Sequence, residues 1–125
     1  MASDTDFNNG DPGGGFVEGQ HAARVLASIV SSAFSVRPDA VRGPGRGGKT
    51  TAFARQVAMY LSHTHLGFSY TAAGALFGRD RTTAAYACRT VEEKREDAGV
   101  DALVDCVERA VALVPGLGRT DGGAV

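Results

Sequence analysis

No stretch of this sequence approaches the roughly 18 uninterrupted apolar residues that a membrane-crossing helix needs, so no membrane partner is expected. Cysteine is nearly as scarce: Cys88 and Cys106 stand far apart on helically patterned segments, and no Cys/His group has zinc spacing. That scarcity suggests two buried, reduced thiols in a cytoplasmic protein rather than a disulfide. The N-terminus, MASDTDFNNGDPGGGF, has no basic start followed by an apolar run, unlike a signal peptide. No apolar/polar alternation runs long enough for a convincing strand. Nor does any arrangement of Ser, His and Asp suggest a nucleophile and its base. The expectation is a non-enzyme, with no cofactor, metal or small-molecule ligand.

What is present fits one small domain. The chain has 125 residues, 43% of them apolar, enough for a single modest core. Its net charge of −1 conceals a strong asymmetry. Residues 1–36 carry −3, residues 37–95 carry +6 and residues 96–125 carry −4. A basic middle between acidic ends suggests a surface for a polyanion.

Residues 1–17 are rich in Gly, Asp and Asn and read as a disordered tail. From about 19 to 35, Ala22, Val25, Leu26, Ile29, Val30 and Ala33 recur at steps of three and four, the mark of an amphipathic helix. His21 lies on its solvated side. VRPDAVRGPGRGGKT then forms a loop, with room for one helical turn around Pro38 to Val41. A helix follows over about 51–66, capped by Thr50 or Thr51, with Phe53, Val57, Ala58, Tyr60 and Leu61 inward and Gly67 ending it. Tyr70 to Phe77 makes a short helix capped by Thr71. After the turn at Gly78, Asp80 or Thr82 caps a helix over 81–96, burying Ala84, Ala87, Cys88 and Val91. The last helix, about 99–114, aligns Val100, Leu103, Val104, Val107, Val111 and Val114. The expected fold is all-α, a compact bundle of about five helices over 18–114, with a flexible tail at 115–125.

Two segments carry chemistry. GPGRGGKT, Gly43 to Thr50, fits the phosphate-binding pattern G-x-x-x-x-G-K-[ST]. That pattern binds a nucleotide only between a buried strand and a helix. The helix is expected here; the strand is not, because Arg37, Pro38 and Asp39 interrupt AFSVRPDAVR. A phosphate-binding loop that meets a DNA backbone is the better fit. The second segment is SYTAAGALFGRDRTTAAYACRTVEEK, Ser69 to Lys94. A short helix, a glycine turn and a helix with a polar, basic start describe a helix-turn-helix, whose second helix enters the major groove. Arg79, Asp80, Arg81, Thr82 and Thr83 fall at that start. Arginine can pair with guanine, threonine can touch a thymine methyl, and aspartate can accept from cytosine. Arg89, further along, reaches either the DNA backbone or Glu92 or Glu93.

ARQVAMYLSHTH (54–65) and GALFGRDRTTAAYACRTVEE (74–93) resemble the C-terminal DNA-binding domain of the bacterial chromosomal replication initiator DnaA. That family reads A-R-Q-x-A-M-Y-L before the motif and G-G-R-D-H-T-T within it, and the resemblance extends over about residues 22–112. It implies double-stranded DNA as partner, with the second motif helix in the major groove and a loop arginine in the minor groove. By position, Asp80, Arg81, Thr82 and Thr83 would meet bases, and Arg79 a phosphate or base. Arg42, Arg46, Lys49 and Arg55 would lie along the loop and backbone, supplying affinity while the helix supplies sequence choice. His63, near the phosphate-facing side, is a further DNA candidate.

Three departures bear on this. Arg81 replaces the family's histidine, one glycine before Arg79 is missing, and Phe53 stands about where the minor-groove arginine is expected. Arg46 or Lys49 would take that arginine's role. The family's initiator carries an ATPase domain ahead of this one, where this sequence has one helix and a tail. The expectation is therefore a stand-alone, nucleoid-associated transcription or replication regulator that does not act through ATP. A single motif reads few base pairs, so a homodimer through helix 19–35 is one expectation and a core role for that helix the other. A protein-interaction module built on a degenerate DnaA-like domain is the alternative function. Tyr86 stays open between DNA and packing.

Overall fold

The computed structural model describes residues 14–117, in which six α-helices and no strand are found. They are α1 (Gly14–Phe34), α2 (Pro38–Arg42), α3 (Lys49–Thr64), α4 (Tyr70–Leu76), α5 (Arg81–Lys94) and α6 (Ala98–Ala112). The all-α expectation holds, and the turn read around Pro38 is α2, which brings the count from about five expected helices to six among the described residues. No described helix is long and apolar enough to cross a membrane.

α3 is the central element. Ala54, Val57, Ala58, Met59, Tyr60 and Leu61 are all buried, leaving this helix almost no wet face. It packs against α1, α2, α4 and α5, while α6 closes the bundle against α1. Most inward faces read from the 3.6-residue period are observed, although Ala23 and Ala27 are buried besides, and Val25, Ile29 and Ala33 are only partly so. Ala22, Leu26 and Val30 of α1, Ala84, Ala87, Cys88 and Val91 of α5, and Val104, Val107 and Val111 of α6 are buried. Phe53 is only partly buried, edge-on to Phe34 with ring centroids 5.6 Å apart. Ser62, inside the bundle, spends its hydroxyl on the Ala58 carbonyl at 2.8 Å.

The ends differ from expectation. α1 begins at Gly14, ahead of 19, so 14–17 is helix rather than tail. Once the turns from Ala22 to Val30 are formed and packed, extending a helix backward needs no new nucleus, and poor helix formers can be carried along. At the other end the chain turns at Gly116 (φ 70°) and returns Leu117 to the core, 5% exposed. Residues 115–117 thus belong to the fold. The rest of the two expected tails, 1–13 and 118–125, lies outside the described residues.

Helix starts were harder to read than helix faces. α3 starts at Lys49 after Gly48, which offers no side-chain cap, so neither Thr50 nor Thr51 caps it. α4 is capped by Ser69, whose Oγ accepts from the Ala72 amide at 3.0 Å. Thr71 lies inside that helix instead, its hydroxyl buried without a partner. Cys106, expected to be buried, is exposed; Cys88 is buried and both are free.

One network ties three helices together at the end of α5. Arg95 Nε donates to Asp101 Oδ1 at 2.6 Å, and its Nη1 donates to Glu108 Oε2 at 3.1 Å and to the Tyr60 hydroxyl at 3.2 Å. Tyr60 donates in turn to Glu92 at 2.8 Å. Burial alone would lower the Arg95 pKa, but its bonds to Asp101, Glu108 and Tyr60 outweigh that and raise it. Opposite charges that share hydrogen bonds can be held in such a half-buried place.

Candidate nucleic-acid interface

The second motif helix, α5, divides cleanly by period. Its buried side faces α3 and α4; its other side leaves Arg81, Thr82, Thr83, Tyr86 and Arg89 exposed. Asp80 is the N-cap, and its Oδ1 accepts from the Thr83 amide at 2.8 Å. That hydrogen bonding to Thr83 holds the Asp80 carboxyl below the usual aspartate range. The carboxylate expected to read a base is therefore also the group that starts the reading helix.

The corner before α5 is set by two glycines. Gly78 takes φ 71°, a conformation costly for any residue with a Cβ. Gly74 serves close approach: a Cβ there would stand 2.6 Å from the Asp80 carbonyl oxygen and 2.8 Å from that of Arg79. The Arg79 amide donates to the Gly74 carbonyl at 2.8 Å, pinning the chain as it enters α5.

The basic loop over 43–48 lies beside this corner, but three of the cations expected to meet DNA, Arg42, Arg55 and Arg79, turn inward. Arg55 is 5% exposed. Its Nε donates to the Val41 carbonyl at 2.9 Å, Nη2 to that of Ala40 at 2.7 Å and Nη1 to that of Arg46 at 3.2 Å. The assignment of Arg55 to the DNA backbone is thus corrected, because its guanidinium is spent inside the protein. Arg79 donates from Nη1 to the carbonyls of Phe77 (2.6 Å) and Gly43 (2.8 Å), and from Nη2 to that of Gly45 (2.5 Å). In the free protein its guanidinium holds the loop. Burial first, and the nearby Arg79 charge second, lower the Arg55 pKa. Arg42 is half-buried and donates to Gln20 Oε1 at 2.9 Å, with its Nε buried and unpaired. Only Arg46 and Lys49 of the loop cations are exposed.

His63 is half-buried, with Nδ1 2.8 Å from the Phe68 carbonyl, so that nitrogen carries the proton. Its ring stacks on Tyr70, centroids 4.1 Å apart at 21°. The Arg81 guanidinium carbon lies over the other aromatic partner, 6.0 Å from the Tyr70 centroid. Tyr86, which the sequence left open, is 57% exposed and off the core. Its spacing carried the signal: it stands four residues after Thr82 and three before Arg89, on their face. The Lys94 ammonium lies 5.6 Å from the Phe53 ring centroid.

A family described as the bacterial DnaA protein helix-turn-helix matches residues 24–91, more than half of the chain. The chain belongs to the bacterial DnaA helix-turn-helix family. The match takes in the basic loop, α4, and α5 up to Val91, short of the 112 expected from the sequence, so α6 lies beyond it. Similar proteins include the chromosomal replication initiator protein DnaA 2 of Chlamydia trachomatis, 43% identical over 71 residues, which are 57% of this chain and 15% of that protein. The protein of that name from Chlamydia pneumoniae is 40% identical over 76 residues, 61% of this chain and 17% of that protein. DnaA of Lactococcus lactis subsp. cremoris is 44% identical over 69 residues, 54% and 15% respectively. The chain thus spans about a sixth of the length of these relatives. Membership in the DnaA helix-turn-helix family supports DNA binding in general.

Proposed function

We propose that this protein binds double-stranded DNA with sequence preference and acts as a transcription or replication regulator. The observation that supports this best is the join between two surfaces. The exposed start of α5, with Arg81, Thr82 and Thr83, is hydrogen-bonded through Arg79 to the loop that carries Arg46 and Lys49. A helix in the major groove with cations on the flanking backbone separates sequence choice from affinity. Asp80 and Tyr86 lie on the same reading surface, and Arg89 faces the backbone further along it. Arg81 in place of the family's histidine directs that position toward guanine.

Selection from a random duplex pool tests this. Wild-type protein enriches one short motif, Arg81→Ala changes the motif, and Lys49→Ala weakens binding by a similar factor on every duplex. A folded protein that retards no duplex in modest salt would remove the DNA reading and leave the protein-interaction module.

A further inference from the structure

We infer that Arg79 is a positioning residue that fixes the cationic loop in register with the reading helix, rather than a residue that touches DNA. This rests on the DNA-binding reading above. Arg79 sits one residue before the Asp80 cap, so its backbone moves with the start of α5. Its side chain reaches back 36 residues to the Gly43 carbonyl and 34 to that of Gly45. Arg55, from α3, grips the same segment at Ala40, Val41 and Arg46. Six donor bonds from two guanidiniums thus converge on the chain between Ala40 and Arg46 and on Phe77.

Without them the loop has little reason to hold one shape. Gly43, Gly45, Gly47 and Gly48 flank Arg46, and glycine-rich chain is conformationally permissive. A guanidinium can bridge several carbonyls because its donors lie in a rigid planar fork; an ammonium is a point donor. The loop carbonyls drawn toward Arg79 and Arg55 run from Ala40 up to that of Arg46 itself. Arg46 and Lys49 themselves are left exposed beside α5. The two arginines thus convert a floppy basic segment into a fixed pair of charges at a set distance from Arg81.

Arg79→Gln and Arg79→Lys separate positioning from contact. In the free protein, with helical content checked by circular dichroism, both variants lower the backbone 15N order parameters of Gly45, Arg46 and Gly47. On the duplex selected by wild type, at low salt, both lose roughly tenfold in affinity. In an Arg46→Ala/Lys49→Ala background the same Arg79 changes cost less than about twofold, because the groups they position are gone. If Arg79 met a phosphate itself, Arg79→Lys would restore most of the binding and the losses would multiply in that background. Either result overturns the inference while the DNA reading stands. Unchanged order parameters in the loop overturn it as well. Wild-type protein that binds no duplex removes the DNA reading itself, and the positioning role with it.

Discussion

Cys88 and Cys106 carry the same thiol in opposite surroundings, and a labelling reagent should separate them. Cys88 is 6% exposed in the core side of α5, and burial, with Glu92 nearby, pushes its pKa up to about 11. The neutral thiol is therefore favoured below that pH, and the thiolate that reacts is suppressed. Cys106 is open to solvent on α6. One equivalent of a maleimide is expected to add to the native protein and two in denaturant, counted by mass spectrometry; a native protein that takes two would contradict the burial of Cys88. The helical period already held this distinction, since Cys106 lies off the Leu103–Val107–Val111 stripe, and an expectation based on cysteine usage overrode it. Arg55 is the opposite case. An arginine beside a basic loop looks like a surface cation, and only the carbonyls of Ala40, Val41 and Arg46, distant in sequence, reveal its place.

Among the elements, the α4–α5 corner is where local chemistry and function are most tightly joined. A glycine turn was legible, and Asp80 was one of two cap candidates beside Thr82, because both features follow from short-range rules about left-handed backbone and orphan amides. The role of Gly74 was not, since its neighbours are backbone oxygens on the far side of the turn. Gly74→Ala would place a methyl 2.6 Å and 2.8 Å from the Asp80 and Arg79 carbonyls, neither of which can rotate away as a side chain would. The start of α5 must then move. A loss of roughly 1–3 kcal/mol is expected from such overpacking, read by urea denaturation. Discrimination between the selected duplex and a scrambled one should fall with it, because Arg81, Thr82 and Thr83 sit on the displaced turn. Full stability with unchanged discrimination would mean that the corner has slack that its geometry does not suggest. The start of α3 at Lys49 and the cap of α4 were misread for a related reason. Several Ser, Thr and Gly residues compete at each, and packing of the helix body chooses among them.

For the whole molecule, net charge is a poor guide and the placement of charge a good one. Ten cations lie between residues 37 and 95, yet the fold consumes several. Arg42 is tied to Gln20, Arg55 and Arg79 to backbone carbonyls, and Arg95 to Asp101 and Glu108. If Arg81 reads a base, the cations left to meet phosphates on the proposed face are Arg46, Lys49 and Arg89. Each phosphate neutralised contributes about −0.9 to the slope of log K against log salt on duplex DNA. Three give a slope near −3. Had Arg42, Arg55 and Arg79 also faced the backbone, as the sequence suggested, six would give about −5. Titrating the selected duplex at several salt concentrations distinguishes the two. A slope near −3 that becomes shallower by about one with Lys49→Ala fits a surface in which half the basic residues build the loop and the other half use it. A slope near −5 would mean that the inward arginines swing out to reach the DNA when it binds.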